Sequence, residues 1–508
     1  MPAVSGLLAL ILGMGMGMVL GYAPFHLFPL SGIALACQIA LIAQQTLARR
    51  AAFVAFCFGL GMFGAGVSWI YVSLHTYGEM PVALAVVATT VFCAFLALFP
   101  TLFGVLCWYA RRRTLSFHLL TIPALWVGTE WLRGTLFTGF PWLTIGYSQV
   151  ADSPLLGYAP IIGVYGISAL VAASAAMLLY LMSAPTIRKA ISIVFVLGVW
   201  GLGAILQQIV WTSPTGPSFS VALLQGNIAQ DRKWRAEELV PTLQTYLSLL
   251  QQSNAELTVL PETAIPLVAD QLPSAYAAEL TNHALSNSGD MIVGIVERAS
   301  NNGNIHHYNS AISMGASSAQ TYRKQHLVPF GEYIPAKPIF GWILNVLHVP
   351  LMDMSAGASP QPTLHLAGQK VAVNICFEDV FGEEVIRALP DATILVNLSN
   401  IAWFGDSLAV PQHLQISQMR ALETGRYMSR STNTGATAII DERGRVLKQA
   451  RPHEALVLTG LAQGFIGATP YVRWGNTPIL MFIGAGVLLA FFPQGSILRK
   501  GRACMKSD

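Results

Sequence analysis

The chain has 508 residues, of which 54% are hydrophobic and only 11% are charged, and its mean hydropathy is +0.54. This composition is too apolar for a wholly soluble globular protein, so we expect several membrane-spanning helices. The formal net charge of +4 gives no indication of a nucleic acid partner, and none is expected.

Eight apolar stretches are long enough to cross a bilayer. A helix that rises about 1.5 Å per residue needs about 20 apolar residues to do so. The first stretch lacks the basic segment and cleavage site of a secretory signal, so we expect it to be retained as a span. The predicted spans cover residues 5–24, 27–46, 52–74, 81–109, 116–133, 155–183, 190–210 and 475–493.

Basic residues in the short connections predict the orientation of these spans. Every even-numbered span is followed by basic residues, whereas the short odd-numbered loops contain only Arg133. The positive-inside rule therefore places both termini in the cytoplasm of a bacterium. Residues 211–474 are then expected in the periplasm, between a seven-span bundle (1–210) and an eighth span with a cytoplasmic tail (475–508). The basic residues used are Arg49, Arg50, Arg111, Arg112, Arg113, Arg188, Lys189, Arg499, Lys500, Arg502 and Lys506.

The block of residues 211–474 has the pattern of an α/β domain. Short apolar runs alternate with amphipathic helical patterns, which is typical of strands that are buried on both faces. Predicted strands cover 220–225, 257–260, 291–296, 371–376 and 393–398, and predicted helices cover 237–252, 274–287 and 413–428. The fold class expected is thus a bundle of about eight membrane helices with an α/β domain.

Three residues of this block could form a catalytic site. Cys376 is its only cysteine, so a periplasmic location leaves the thiol no structural disulfide to form within the block. Glu262 and Cys376 stand at the C-terminal ends of predicted strands, and Lys324 ends the short run QTYRK, at the kind of sheet edge where α/β sites form. A carboxylate can accept a thiol proton, and an ammonium can stabilise the oxyanion that forms when the thiolate attacks a carbonyl.

Each residue also has a plainer explanation. A lysine near a strand end is usually a solvated charge, Pro-Glu-Thr commonly forms a turn, and a lone cysteine is usually a small buried apolar residue. His306 and His307 lack a third ligand at suitable spacing, so we expect neither a metal nor a cofactor.

The surrounding motifs resemble those of the nitrilase, or carbon–nitrogen hydrolase, superfamily. They are PETA (261–264), KQHLVPFGEYIP (324–335) and Cys376 followed by an aromatic residue and glutamate. The flanking spans narrow the resemblance to the apolipoprotein N-acyltransferases. Further matching segments are TEWLRGTLFTGFPW (129–142), QGNIAQDRKW (225–234), NLSNIAWFGDS (397–407) and RALETGRYMSRSTNTG (420–435).

The resemblance implies a four-layer αββα sandwich on a helical bundle, with two-step acyl transfer. Glu262 would deprotonate Cys376, which would attack a fatty ester of a phospholipid, typically phosphatidylethanolamine. Lys324 and a backbone N–H would stabilise the oxyanion. The resulting thioester would then acylate the α-amine of the diacylglyceryl-cysteine at the N-terminus of an apolipoprotein, in the bacterial inner membrane.

The resemblance also implies supporting residues. Glu332 matches a second glutamate that would orient Lys324 or the thiol, and Trp234 and Glu378 match positions tied to activity. Two positions depart from the family pattern. Phe377 stands where tyrosine is common, so a hydroxyl cannot be essential there, and Ile401 stands where aspartate is common.

The run 339–354 is unusually apolar for a loop, and two interpretations stay open. It is either a core helix or an arm that rests in the membrane and gates lipid entry, with Trp342 contacting substrate.

Two other functions compete with acyl transfer. A membrane-tethered amidase could use the same three residues, but tethering needs only one span. A transporter with a substrate-binding domain would carry ionisable residues within its spans, and these spans are nearly free of them apart from Glu130.

Overall fold

A computed structural model describes residues 2–110, 117–150, 152–183, 186–301, 303–341 and 353–491. The described part of the N-terminal region, up to Leu206, consists of helices joined by turns and loops, because apolar residues on all sides favour helices whose backbone polar groups bond internally. Its helices are α1 (Pro2–Val19), α2 (Phe28–Ala43), α3 (Ala48–Gly66), α4 (Ile70–Val72), α5 (Val82–Ala110), α6 (Ile122–Arg133), α7 (Ala159–Ser183) and α8 (Thr186–Leu206).

Among the residues that the structure describes, four helices are long and apolar enough to cross a membrane, namely Ala48–Gly66, Val82–Ala110, Pro154–Leu179 and Thr186–Leu206. Three apolar helices are shorter: Gly6–Val19, Phe28–Ala43 and Thr477–Phe491. The first helix ends at Val19 rather than at the predicted residue 24, because the next backbone N–H groups, from Leu20 to Tyr22, bond three residues back and form turns instead of helix. The count of eight spans stays a prediction.

The α/β domain contains two sheets. The seven-stranded sheet has the order β13-β1-β2-β4-β5-β6, with β3 also paired to β4, and the six-stranded sheet has the order β12-β11-β10-β9-β8-β7. The strands are β1 (Ser213–Gln225), β2 (Leu257–Val259), β3 (Ile265–Val268), β4 (Asp290–Asn301), β5 (Asn304–Gly315), β6 (Thr321–Arg323), β7 (Leu364–Leu366), β8 (Gln369–Ile375), β9 (Ile394–Ser399), β10 (Met428–Thr432), β11 (Ala438–Ile440), β12 (Val446–Gln449) and β13 (Leu456–Ile466).

The two sheets pack face to face, and helices cover their outer faces. Alternate strand residues point in opposite directions, so Leu223 and Val373 meet between the sheets. Their neighbours Leu224 and Ala372 face helices on opposite outer sides. The remaining helices are α9 (Ala236–Leu250), α10 (Ser274–Ser286), α11 (Lys337–Phe340), α12 (Gly382–Val385), α13 (Ala409–Thr424), α14 (Pro470–Trp474) and α15 (Thr477–Phe491). The predicted αββα sandwich is confirmed.

The prediction for one helix was wrong at its C-terminal end. The pattern predicted a helix to residue 428, but α13 ends at Thr424, and β10 begins at Met428. Gly425 has a φ of +63°, the left-handed conformation in which glycine commonly terminates helices.

Helix α13 packs against the helical region and connects the αββα sandwich to it. Ile416 and Met419 belong to the same apolar cluster as residues of the membrane-type helices. Buried hydrogen bonds add to this contact: Trp142 Nε1 donates to Gln412 Oε1 at 2.8 Å, Val164 N donates to Glu423 Oε1 at 2.6 Å, and Ala23 N donates to Gln415 Oε1 at 3.1 Å. The α/β domain therefore rests directly on the helices.

Candidate active site

The structure brings Glu262, Lys324 and Cys376 together between the two sheets. Glu262 follows β2 and Lys324 follows β6 in the first sheet, whereas Cys376 follows β8 in the second. Lys324 Nζ lies 3.3 Å from Glu262 Oε1, and both side chains are buried. The Cys376 thiol hydrogen-bonds to the Glu262 carboxylate. Glu262 thus contacts both a potential nucleophile and a cation, and the charge of Lys324 also acts on the thiol.

Cys376 lies on a sharp turn between strand and helix. Its φ is +55°, a left-handed conformation that is rare for residues other than glycine, and it begins a 3₁₀ turn that runs to Val380. Such conformations persist only where surrounding contacts hold them. Asn397 Nδ2 donates to the Cys376 carbonyl at 3.2 Å and so contacts the turn directly.

Glu378 ties this turn to the loop that carries Lys324. Its carboxylate accepts hydrogen bonds from the backbone N–H of Ile375 (2.6 Å), Gln325 (2.6 Å) and His326 (3.1 Å). Burial raises the pKa of Glu378 to about 7, although these hydrogen bonds oppose the shift. Its position supports the predicted accessory role, since it spans the segments of two catalytic candidates.

Glu332 and Asn309 complete the surroundings of Lys324. Lys324 Nζ lies 2.9 Å from Glu332 Oε1, and Asn309 Nδ2 donates to Glu262 Oε1 at 2.7 Å and to Glu332 Oε1 at 2.9 Å. The ammonium is therefore held between two carboxylates. Asn309 was not predicted, because an asparagine within a strand gives no sequence signal of this role.

The ionisation states suit general base catalysis. Burial, followed by the charge of Glu262, raises the pKa of the Cys376 thiol to about 12. Burial acts in the same direction on Glu262, but the Lys324 ammonium and the Asn309 hydrogen bond outweigh it and lower the pKa of that carboxyl. Burial lowers the pKa of Lys324, but the negative charges of Glu262 and Glu332 outweigh burial, so the pKa is raised overall. The resting site thus holds a neutral thiol, a carboxylate and an ammonium.

A second buried lysine, Lys233, lies behind Glu262. Its Nζ donates to Thr263 Oγ1 at 2.8 Å and to the Glu262 carbonyl at 3.3 Å. Burial lowers the pKa of Lys233 to about 7, against the charges of Glu262 and Cys376. Sequence reasoning selected its neighbour Trp234, which is half-buried, and missed Lys233 because a lysine in a polar segment resembles a solvated charge.

Two of the other positions singled out in the sequence, Phe377 and Ile401, make apolar contacts. Phe377 stacks on Phe140 of the helical region, with ring centroids 6.2 Å apart, so its ring rather than a hydroxyl makes the contact. Ile401 is fully buried in an apolar cluster on the outer face of the second sheet, where a carboxylate would be costly. Trp342 and most of the run 339–354 lie outside the described residues.

No cluster of three or more histidine, cysteine, aspartate or glutamate residues in the described ranges could hold a metal ion. The chemistry available from the side chains present is nucleophilic: sulfur attack on a carbonyl, proton transfer to a carboxylate and charge stabilisation by an ammonium.

Two family models match the chain. The model of the apolipoprotein N-acyltransferase N-terminal domain matches residues 14–177, and that of carbon–nitrogen hydrolases matches residues 220–471. Among solved structures, a carbon–nitrogen hydrolase superfamily protein from Xanthomonas campestris is 14% identical, with a TM-score of 0.37 over 53% of this chain and 97% of that one.

Curated relatives cover nearly the whole chain. An apolipoprotein N-acyltransferase of Nitrosomonas europaea is 53% identical over 485 residues, which are 94% of this chain and 96% of the relative. One from Chromobacterium violaceum is 44% identical over 92% of this chain and 90% of its own length. With its two matched domains and this degree of identity, the chain belongs to the apolipoprotein N-acyltransferase family.

Proposed function

We propose that the protein transfers a fatty acyl chain from a phospholipid to the α-amine of the diacylglyceryl-cysteine at the N-terminus of apolipoproteins. The observation that carries the proposal is the contact of Cys376, Glu262 and Lys324 in a member of this family. The sandwich also rests on apolar helices, which would bring a bilayer-derived ester close to the thiol.

In the first step, Cys376 sulfur bonds to the ester carbonyl carbon while Glu262 accepts the thiol proton. Lys324 stabilises the oxyanion of the tetrahedral intermediate, an interaction that strengthens as the charge develops. When the intermediate collapses, the carbon–oxygen bond of the ester breaks. The leaving lysophospholipid oxygen takes the proton from Glu262, and a thioester remains on Cys376.

In the second step, the acceptor amine attacks the thioester carbonyl and gives a proton to Glu262. The carbon–sulfur bond then breaks, and the thiolate recovers that proton. The two steps form a ping-pong cycle that needs no added activation, because the acyl group arrives as an ester. Glu332 holds Lys324 throughout, whereas Glu378 holds the Cys376 turn.

The proposed arrangement in the cell follows from the charge pattern. Residues 1–210 and 475–508 would lie in the bacterial inner membrane with cytoplasmic ends, and residues 211–474 would face the periplasm. The donor is a membrane phospholipid, with phosphatidylethanolamine as the candidate, and the acceptor is a lipid-anchored apolipoprotein in the same membrane.

The test is mass spectrometry of the purified protein after incubation with phospholipid in the absence of acceptor. We expect an acyl adduct on Cys376 that disappears when a diacylglyceryl-cysteine peptide is added, with N-acylated peptide as product. Cys376→Ala should give neither species. Release of free fatty acid at the same rate with and without the peptide would instead identify a hydrolase.

A further inference from the structure

A cavity of about 280 Å³ lies between the helical region and the α/β domain. Its walls come from separate parts of the chain: Trp131 near the end of α6, His326 in the loop after Lys324, Arg420 on α13, and Asn476 at the start of α15. The segment from Val380 to Glu384, which follows the Cys376 turn, closes one side.

Four residues that line this cavity carry buried polar atoms that lack a hydrogen-bond partner within the described ranges. They are Trp131 Nε1, His326 Nε2, Arg420 Nε and Asn476 Oδ1. The Arg420 side chain is only 1% exposed, and Asn476 is 3% exposed. Buried polar atoms of folded proteins are nearly always paired, and leaving one unpaired is costly. Trp131 Nε1 and Arg420 Nε are N–H donors, whereas Asn476 Oδ1 is an acceptor, so the unpaired atoms around this cavity indicate a polar ligand that carries both acceptor and donor groups.

The cavity adjoins the candidate active site. The His326 ring stacks on Phe381 with centroids 3.8 Å apart, and Phe381 packs against Phe377, the residue after Cys376, at 5.1 Å. Asn476 directly precedes the apolar helix α15, and Trp131 lies in the last turn of α6, where a tryptophan is suited to the boundary between membrane and water. The Phe381 and Phe377 rings thus connect the cavity wall to the turn that carries the thiol.

We propose that this cavity binds the phosphodiester headgroup of the phospholipid acyl donor, an inference that rests on the proposed function. Trp131 and Arg420 supply N–H donors to phosphate oxygens, and the guanidinium adds charge to its hydrogen bond. The ion pair of Arg420 with Glu423, at 3.0 Å, fixes the guanidinium in place.

Two carboxylates, Glu383 and Glu384, also line the cavity. Glu384 already pairs with His326 Nδ1 at 3.1 Å and with Arg387 at 3.9 Å, which reduces its repulsion of an anion. Glu383 is then placed to face a cationic headgroup terminus. A phospholipid whose headgroup ends in an amine would interact with Glu383 as well as with the N–H groups that bind the phosphate, whereas one that ends in glycerol lacks the cation. Comparison of the two phospholipids therefore separates the contribution of Glu383 from that of the N–H groups.

The test compares two donors that share their acyl esters, dioleoylphosphatidylglycerol and dioleoylglycerol, in mixed micelles with the full-length protein. The readout is acylation of Cys376 in a single turnover without acceptor. The double variant Trp131→Phe/Asn476→Asp removes one N–H donor and places a carboxylate beside the phosphate, with little change in shape. We expect it to slow acylation from the phospholipid by about tenfold or more and to leave acylation from the diacylglycerol unchanged.

The matched control is Trp474→Phe, which alters an exposed tryptophan close to Asn476 that does not line the cavity. Equal slowing with both donors, or no slowing, would overturn the headgroup site. In a separate turnover assay with a diacylglyceryl-cysteine peptide, a change confined to the KM of that peptide would overturn the headgroup site and assign the cavity to the acceptor. Failure of the unaltered protein to acylate Cys376 from either donor would refute the proposed function instead.

Competition with the unaltered protein keeps the inference testable if the variant does not fold. Glycerophosphoglycerol, which carries the phosphodiester without acyl chains, should slow acylation from the phospholipid competitively, whereas glycerol at the same concentration should not. Absence of any difference between the two compounds would count against the site.

Discussion

The thiol of Cys376 is protonated at rest because of where it lies. Burial and the neighbouring Glu262 carboxylate both stabilise the neutral form, and Lys324 only partly opposes them. A preformed thiolate–ammonium pair, as found in many cysteine enzymes, is therefore not the resting state. In the proposed mechanism, proton transfer to Glu262 would therefore have to accompany attack on the ester, and the rate would depend on the position of that carboxylate.

The raised thiol pKa predicts a particular pH profile for alkylation of Cys376 by a small neutral reagent. Because the folded-state pKa lies near 12, the thiolate fraction should rise about tenfold per pH unit between pH 7 and 9, without a plateau. Mass spectrometry of the modified cysteine measures this rate. A plateau near neutral pH would show that the thiolate already exists at rest.

Glu262→Gln should separate two effects of the carboxylate. Loss of its negative charge lowers the thiol pKa, so alkylation at a given pH should become faster. Loss of the base should nevertheless slow acyl-enzyme formation, by about 10²–10⁴-fold. Both rates can be followed on the same protein sample. Faster alkylation together with undiminished acylation would exclude Glu262 as the base and make Glu332 the next candidate.

Lys233→Met should lower acylation more than it lowers substrate affinity. The substitution removes the hydrogen bonds that fix Thr263, whose φ is +44°, and the backbone of Glu262. We expect about a tenfold loss in kcat, since a misplaced catalytic group is costly in rate, with a nearly unchanged donor KM. Arg232→Met, at an exposed neighbour, is the control. A loss seen only in KM would assign Lys233 to substrate binding.

At the scale of elements, a buried charge network supports the Cys376 turn. Asp379 accepts hydrogen bonds from His413 Nε2 at 2.7 Å and Ser417 Oγ at 2.6 Å on α13, and from Arg430 Nη1 at 3.0 Å on β10. Arg430 Nη1 also donates to Asn397, the residue that contacts the Cys376 carbonyl. Hydrogen bonds thus connect α13, β10 and the turn that carries Cys376.

Arg430→Met should destabilise the folded protein strongly. Both Arg430 and Asp379 are fully buried, so removal of the guanidinium leaves the carboxylate with only His413 and Ser417 as partners, with a cost of about 3–5 kcal/mol in the free energy of unfolding. Arg445→Met is the control, because Arg445 is 70% exposed and its pair with Asp441 should contribute less than about 1 kcal/mol. Denaturant unfolding in detergent measures both. Equal losses would contradict the assigned role of the network.

Elements with a clear pattern were predictable, and contacts between distant elements were not. The apolar runs located β1, β2, β4, β8 and β9, whereas the other eight strands of the described residues were not predicted. The family motifs selected Glu262, Lys324 and Cys376 from many acceptable residues. The end of α13 depended on the conformation of Gly425, which a helical pattern does not encode. Lys233 and the cavity depend on side chains that only tertiary packing brings together, among them Trp131 and Asn476.

At the scale of the whole molecule, the charge pattern predicts a definite topology. Reporters fused after Arg113 or Lys189 should behave as cytoplasmic, and one inserted within residues 211–474 should behave as periplasmic. Paired alkaline phosphatase and fluorescent protein fusions provide this measurement. A cytoplasmic readout for the large domain would be incompatible with acylation of periplasmic lipoproteins.

The α/β domain should not be stable in water when expressed alone. Excision of residues 211–474 would expose the apolar face of α13, including Ile416 and Met419, and would leave Gln412 and Glu423 without their partners in the helical region. We expect aggregation during size-exclusion chromatography, in contrast to the full chain in detergent. A monomeric and folded fragment would indicate that the contact with the helices is dispensable.

The packing of α13 against the helical region has a consequence for substrate specificity. In the proposed membrane arrangement, these contacts would hold the Cys376 sulfur at one depth relative to the lipid surface. The proposed donor and acceptor would each have to bring a reacting group to that depth, and their own acyl chains would set how far it reaches. The enzyme would then select substrates by the depth at which their reacting groups lie. Proteins with unrelated sequences would qualify if an amine sits directly beside their lipid anchor, and a spacer of a few residues between the two would disqualify them.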